Sequence, residues 1–225
     1  MKQPGPDDVV YPGDSDRVTV IGRTGSGKTQ GALWLLAHRS YTSRPWVLLD
    51  FKREELIGDL PRVREMRLDD KAPRKPGLYV VRPHPGQDDE VEALLWQLWE
   101  RENIGLYVDE GYMIDKRSAA FQALLTQGRA KQIPVIMLTQ RPVEVTRFAF
   151  SEADYLQLYG LTDERDRKTV RSFMPMDIDV PLPPFHSYWY DAKRNQRFVL
   201  QPAPGRDTII DTFRNRIETP ARRFF

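Results

Sequence analysis

The chain has 225 residues, 40% of them apolar and 11% aromatic, and a formal net charge of +2. That is enough chain to bury one sizeable core, and too even a charge balance to argue for nucleic acid by itself. With no cysteine, disulfides and cysteine metal centres are excluded; with no membrane-length apolar run and no signal-peptide core, a cytoplasmic location is expected.

Residues 1–16 are rich in Pro, Gly and Asp and read as a flexible N-terminal arm. Charge is unevenly placed: Asp7, Asp8, Asp14 and Asp16 face only Lys2 in this arm, whereas residues 203–225 hold Arg206, Arg214, Arg216, Arg222 and Arg223. A first strand is predicted over 17–21. It runs into Gly22-Arg23-Thr24-Gly25-Ser26-Gly27-Lys28-Thr29, and a helix follows over 28–39. Strand, glycine-rich turn and helix start, with the spacing G-x-x-x-x-G-K-[ST], make the Walker A phosphate loop. Its glycines turn backbone N–H groups inward as an anion nest, and the helix adds its positive end. In this pattern Lys28 reaches the β- and γ-phosphates and the Thr29 hydroxyl ligates Mg²⁺.

A second buried strand is predicted over 46–50, with Lys52 and Arg53 just past its end. Residues 61–77 read as a proline-bounded basic loop, and 78–81 as a short strand. Asp88 is expected to cap a helix whose Val91, Leu94, Leu95 and Leu98 fall on one face; Trp96 and Trp99 beside that stripe read as core. Ile104–Glu110 is a buried strand ending in Asp109 and Glu110. A helix at about 116–130, a strand over 134–139 and a strand over 153–160 complete an alternating pattern. Asp163 caps a short charged helix. Residues 187–190 and 197–200 flank a basic tip, Lys193-Arg194, as a β-hairpin. The last ~20 residues have no strong period.

Alternating strands and helices predict an open, mostly parallel sheet, whose ligands bind at the strands' carboxyl ends. The loop 22–29, Asp109-Glu110 and Thr139-Gln140 all sit at such ends. Asp109 is placed to hold Mg²⁺ as a Walker B aspartate does, and Glu110 to activate an attacking water. The plain alternative for the pair is two solvated acids. Thr139 and Gln140 can hydrogen-bond the γ-phosphate or the lytic water; the alternative is an ordinary turn before Pro142.

Walker A, Asp109-Glu110 and Leu138-Thr139-Gln140-Arg141-Pro142 together resemble the FtsK–HerA superfamily of DNA-pumping ATPases. Leu161-Thr162-Asp163-Glu164-Arg165-Asp166 is similar to its C-terminal segment. The short length looks most like the viral genome-packaging ATPases of that group. The resemblance spans about residues 17–175. It implies a RecA-like α/β domain over 17–184 with strand order 5-1-4-3-2, followed over 185–225 by the hairpin and a basic tail. ATP and Mg²⁺ are the implied cofactors. The implied assembly is a pentameric or hexameric ring around double-stranded DNA, on a portal or vertex protein of a virion. Its implied place is the host cytoplasm or a packaging vertex. A neighbour's arginine then completes each site, with Arg129 the first candidate, Arg141 the second and Arg147 the third. Lys52 and Arg53 are the candidate DNA contacts, against the 61–77 loop and the hairpin tip. A nucleotide kinase and a conjugation or export motor are the competing readings; a GTPase-like switch lacks its Asn-Lys-x-Asp motif.

Overall fold

The structure is a computed structural model and describes residues 10–219. The elements are, in chain order, β1 (Val18–Ile21), α1 (Lys28–Ala37), β2 (Pro45–Asp50), α2 (Glu55–Gly58), β3 (Arg64–Glu65), β4 (Gly77–Val81), α3 (Asp88–Arg101) and β5 (Gly105–Asp109). They continue with α4 (Ala119–Gln127), β6 (Val135–Thr139), α5 (Phe148–Ser151), β7 (Tyr155–Leu158), α6 (Glu164–Arg171), β8 (Ser187–Asp191), β9 (Gln196–Leu200) and α7 (Arg206–Glu218).

One sheet carries the strands in the order β3-β4-β2-β5-β6-β1-β7-β8-β9. Its centre, β7-β1-β6-β5-β2, is the predicted 5-1-4-3-2 order, all parallel. The hairpin β8–β9 extends it antiparallel to β7. A nine-stranded, mostly parallel sheet must be covered on both faces, and the strand residues alternate accordingly. Ile21, Val47, Leu49, Val108 and Met137 join one core with Leu94, Leu98, Phe121 and Leu124 of α3 and α4. Val20, Trp46, Leu48, Ile136 and Leu138 join the other with Leu33 and Leu36 of α1 and Ile209 and Phe213 of α7. Burying each such side chain is worth about 1.5–3 kcal/mol. The α3–α4 layer is also tied polar to polar. Glu92 accepts from the Ala120 N–H at 2.9 Å and from the Ser118 hydroxyl, while Ser118 accepts from the Phe121 N–H at 3.0 Å as the α4 cap.

Three expectations change. The segment after residue 205 is helical, not aperiodic: Ile209 and Phe213 of α7 are fully buried against α1 and Tyr41. Trp96 is not core but 37% exposed, standing edge-on to Trp99, whose ring carries the Lys131 ammonium at 3.9 Å. The 61–77 segment holds a two-residue strand, β3, paired with β4. Within the expected arm, Asp16 is buried and bonded to the hairpin-tip Lys193; residues 1–9 and 220–225, with Lys2, Asp7, Asp8, Arg222 and Arg223, lie outside the described residues. None of the described helices is long and apolar enough to cross a membrane.

Candidate active site

The phosphate loop is anchored to both neighbours of β1. The Gly22 N–H donates to the Thr139 carbonyl at 3.1 Å, on the β6 side, and the Arg23 N–H to the Gly160 carbonyl at 3.3 Å, on the β7 side. Gly25 and Gly27 take φ of 74° and 92°, left-handed conformations that glycine adopts without a steric penalty. Gly22 has no room for a side chain: a Cβ there would lie 2.7 Å from Ser26 Oγ and 2.8 Å from the Tyr159 Cβ. The α1 helix starts at Lys28 with no acidic residue in its first turn. Its N-terminal N–H groups and partial positive charge are therefore left for an anion.

Lys28 is buried, and its ammonium meets Glu110 Oε1 at 3.0 Å. Lys52 bonds the same oxygen. The other Glu110 oxygen accepts from the Gln140 N–H at 3.2 Å. Glu110 itself is fully buried at φ 66°, a costly conformation for a residue with a side chain. Gln140 bridges the two halves of the site: its Oε1 accepts from the Thr24 hydroxyl at 2.5 Å and its Nε2 donates to the Tyr112 hydroxyl at 3.1 Å. Thr139 is buried, and its hydroxyl accepts from the Arg141 N–H at 3.0 Å. Lys28, Glu110, Thr139 and Gln140 thus meet at one edge of the sheet, as the strand ends predict.

Asp109 is different in kind. Both of its carboxylate oxygens are buried without a hydrogen-bond partner. Burial, then the charges of Glu110 and Glu54, push its pKa up to about 7. A buried, unpaired carboxylate is costly, and a hard divalent cation is the partner its chemistry fits. Among the described residues, no group of three or more His, Asp or Glu side chains could hold a metal. Asp109 and Thr29 would therefore contribute only part of a shell, the rest coming from phosphate oxygens and water.

No family model matches the chain. Over 213 residues it is 45% identical to the DNA packaging ATPase P9 of Enterobacteria phage PRD1, covering 90% of this chain and 93% of that protein. The chain belongs to the phage DNA-packaging ATPases. Among solved structures, this packaging ATPase is similar to the genome packaging NTPase B204 of Sulfolobus turreted icosahedral virus 2 in complex with AMPPCP. The TM-score is 0.68 at 19% identity, over 84% of this chain and 98% of that one. EssC (ATPases 2 and 3) from Geobacillus thermodenitrificans matches at a TM-score of 0.66 and 12% identity, over 92% of this chain and 44% of that one. These two likenesses carry the fold.

The remaining candidates of the packaging ATPase are not gathered at this site. Arg129 lies at the opposite, amino-terminal edge of the sheet, half-exposed and paired with Asp154. Arg141 follows β6 and reaches Asp166 at 3.4 Å. Arg147 sits 5.1 Å from the Phe173 ring centre. Lys52 is turned inward onto Glu110, whereas Arg53 is exposed at φ 57°, with Nη2 3.4 Å from His84 Nε2. At the hairpin tip, Arg194 pairs with Asp191 at 2.9 Å. Sequence reasoning overlooked Tyr112 and Tyr159. Tyr112 follows Glu110 by two residues, and that adjacency was the only clue to it. Tyr159 packs on Gly22, Gly27 and Gly31 from the end of β7, a contact visible only after folding.

Proposed function

We propose that this protein is the ATP-hydrolysing motor that drives double-stranded DNA into a phage capsid. The observation that carries the reading is the convergence of Lys28, Asp109, Glu110 and Gln140 on one phosphate loop, in a chain of the packaging-ATPase family. The loop 22–29 holds the triphosphate through its N–H groups, with Lys28 on the outer phosphates. Thr29 and Asp109 would hold Mg²⁺, whose charge would offset that of the phosphates. Glu110 takes a proton from water as the water oxygen bonds to the γ-phosphorus and the bond to ADP breaks. Thr139 and Gln140 orient the phosphate and the water. For Glu110 to act, one of its oxygens must be freed from the Lys28, Lys52 and Gln140 contacts that occupy both.

Subunits assemble as a pentameric or hexameric ring around the duplex, seated on a portal or vertex protein, in the host cytoplasm or at the packaging vertex. An arginine from a neighbour, Arg129 first, then Arg141 or Arg147, completes each site. Because a motor must grip any sequence, its DNA contacts are to phosphates; Arg53 and, on release from Glu110, Lys52 supply them.

ATPase rate against protein concentration, with and without duplex DNA, tests the assignment. Lys28→Ala should abolish nucleotide binding. Glu110→Gln should still bind ATP but lose turnover by at least about a hundredfold, the scale of a positioned general base. Undiminished turnover in Glu110→Gln would remove the base from this scheme; phosphorylation of a nucleoside monophosphate in place of DNA-stimulated hydrolysis would make the chain a kinase.

A further inference from the structure

The phosphate loop has two flanks. On the β6 flank stand Glu110 and Gln140, so the γ-phosphate of a bound triphosphate faces that way. On the β7 flank lies a recess of about 510 Å³ that touches Arg23, Gly25 and Ser26 and is closed by residues 159–162 and by the strap 178–186. Pockets of this size suit small-molecule ligands.

The geometry points to this recess as a nucleoside site that holds a purine by stacking on Phe185 and does not read the edge of the base. This rests on the reading of residues 22–29 as a triphosphate site. Phe185 is 54% exposed and sits at φ 62°, a left-handed conformation that is an outlier for a bulky side chain. Its ring lies beside the loop: a Cβ on Gly27 would be 3.2 Å from Phe185 Cδ1. A strained, exposed phenyl next to an anion nest is unfavourable for folding and well placed for a ligand with a flat face.

Edge recognition would need free donors and acceptors aimed inward. The two polar side chains of the strap, Asp179 and His186, are already engaged. Asp179 is clasped by Arg171 at 2.7 and 2.8 Å. His186 is held between the Pro184 carbonyl at 3.1 Å and Gln201 at 3.0 Å. Pro181, Pro183 and Pro184 remove three N–H donors from the strap. Ser26 Oγ is buried without a partner where the loop meets the recess; it is placed to serve the sugar or α-phosphate, which every nucleotide shares.

Binding of ATP, GTP and inorganic tripolyphosphate to the full chain, by calorimetry, tests this. ATP and GTP should bind within about threefold of each other, and Phe185→Ala should weaken both by roughly fivefold to a hundredfold, the range of a base–aromatic stack. Tripolyphosphate should bind the wild type and Phe185→Ala equally, and Phe185→Trp should hold ATP as the wild type does. Unchanged ATP affinity in Phe185→Ala, or GTP weaker than ATP by more than about tenfold, overturns the inference. Loss of tripolyphosphate along with ATP in Phe185→Ala would mean that the loop itself was damaged, and overturns it too. If the wild type binds neither ATP nor tripolyphosphate, the phosphate-loop reading falls and this inference falls with it; if it binds tripolyphosphate as tightly as ATP, only the inference falls.

Discussion

Tyr112 bonds Gln140 in the turn that follows Glu110, so its hydroxyl holds the Gln140 amide in register with both Glu110 and Thr24. Removing that hydroxyl leaves the ring's packing intact and frees the amide. Tyr112→Phe should therefore lower kcat about tenfold while KM for ATP stays within about twofold, as for a group that acts mainly in the transition state. Combined with Gln140→Ala it should add little, because the two form one unit; full additivity in steady-state kinetics would separate them. At this scale the sequence was readable where a residue type and a spacing carry the chemistry. Gly22–Thr29, Asp109 and Gln140 all stood at predicted strand ends. Tyr112 was not readable, since nothing in its neighbourhood says that a glutamine 28 residues later will reach its hydroxyl. Nor was the engagement of Lys52 with Glu110, which depends on β2 and β5 being adjacent in the sheet.

Two elements lock the site from outside. Tyr159, at the end of β7, presses on α1 so closely that a Cβ at Gly31 would collide with its hydroxyl. Gly31→Ala should lower stability by about 1–3 kcal/mol, the usual cost of overpacking, despite alanine's better helix propensity. Adding Tyr159→Phe should recover most of that loss in a thermal melt; no recovery would place the clash elsewhere. The second element is α7, which covers α1 through Ile209 and Phe213. Phe213→Ala should cost about 3–5 kcal/mol if the site cannot collapse, with amides of α7 losing hydrogen-exchange protection before those of β1. The central strands and α3 were legible because their apolar residues recur at clean periods. The last helix was not: Ile209, Ile210, Phe213 and Ile217 lie among charged residues and no side chain caps its start. Trp96 was misread for the opposite reason, since an indole beside an apolar stripe looks like core until the neighbouring layer turns out not to reach it.

As a whole, the molecule sets its nucleotide edge and Arg129 at opposite ends of the same strands, with Asp154 holding Arg129 in place. If Arg129 is the residue a neighbour supplies, Arg129→Ala should be inactive alone yet regain ATPase activity in mixed rings with Lys28→Ala subunits, each supplying what the other lacks. An inactive mixture would pass the role to Arg141 or Arg147. This separation also constrains how copies can be oriented. Rotational symmetry keeps equivalent atoms at equal height. Strands parallel to the central axis would hold Arg129 a full strand length above or below the next copy's triphosphate. Strands lying along the circumference would bring the amino-terminal edge of one copy against the carboxyl edge of the next, head to tail. In the proposed ring the identity of the donated guanidinium would therefore be a compass needle: whichever arginine answers the mixing experiment would also tell which way the sheets point around the DNA.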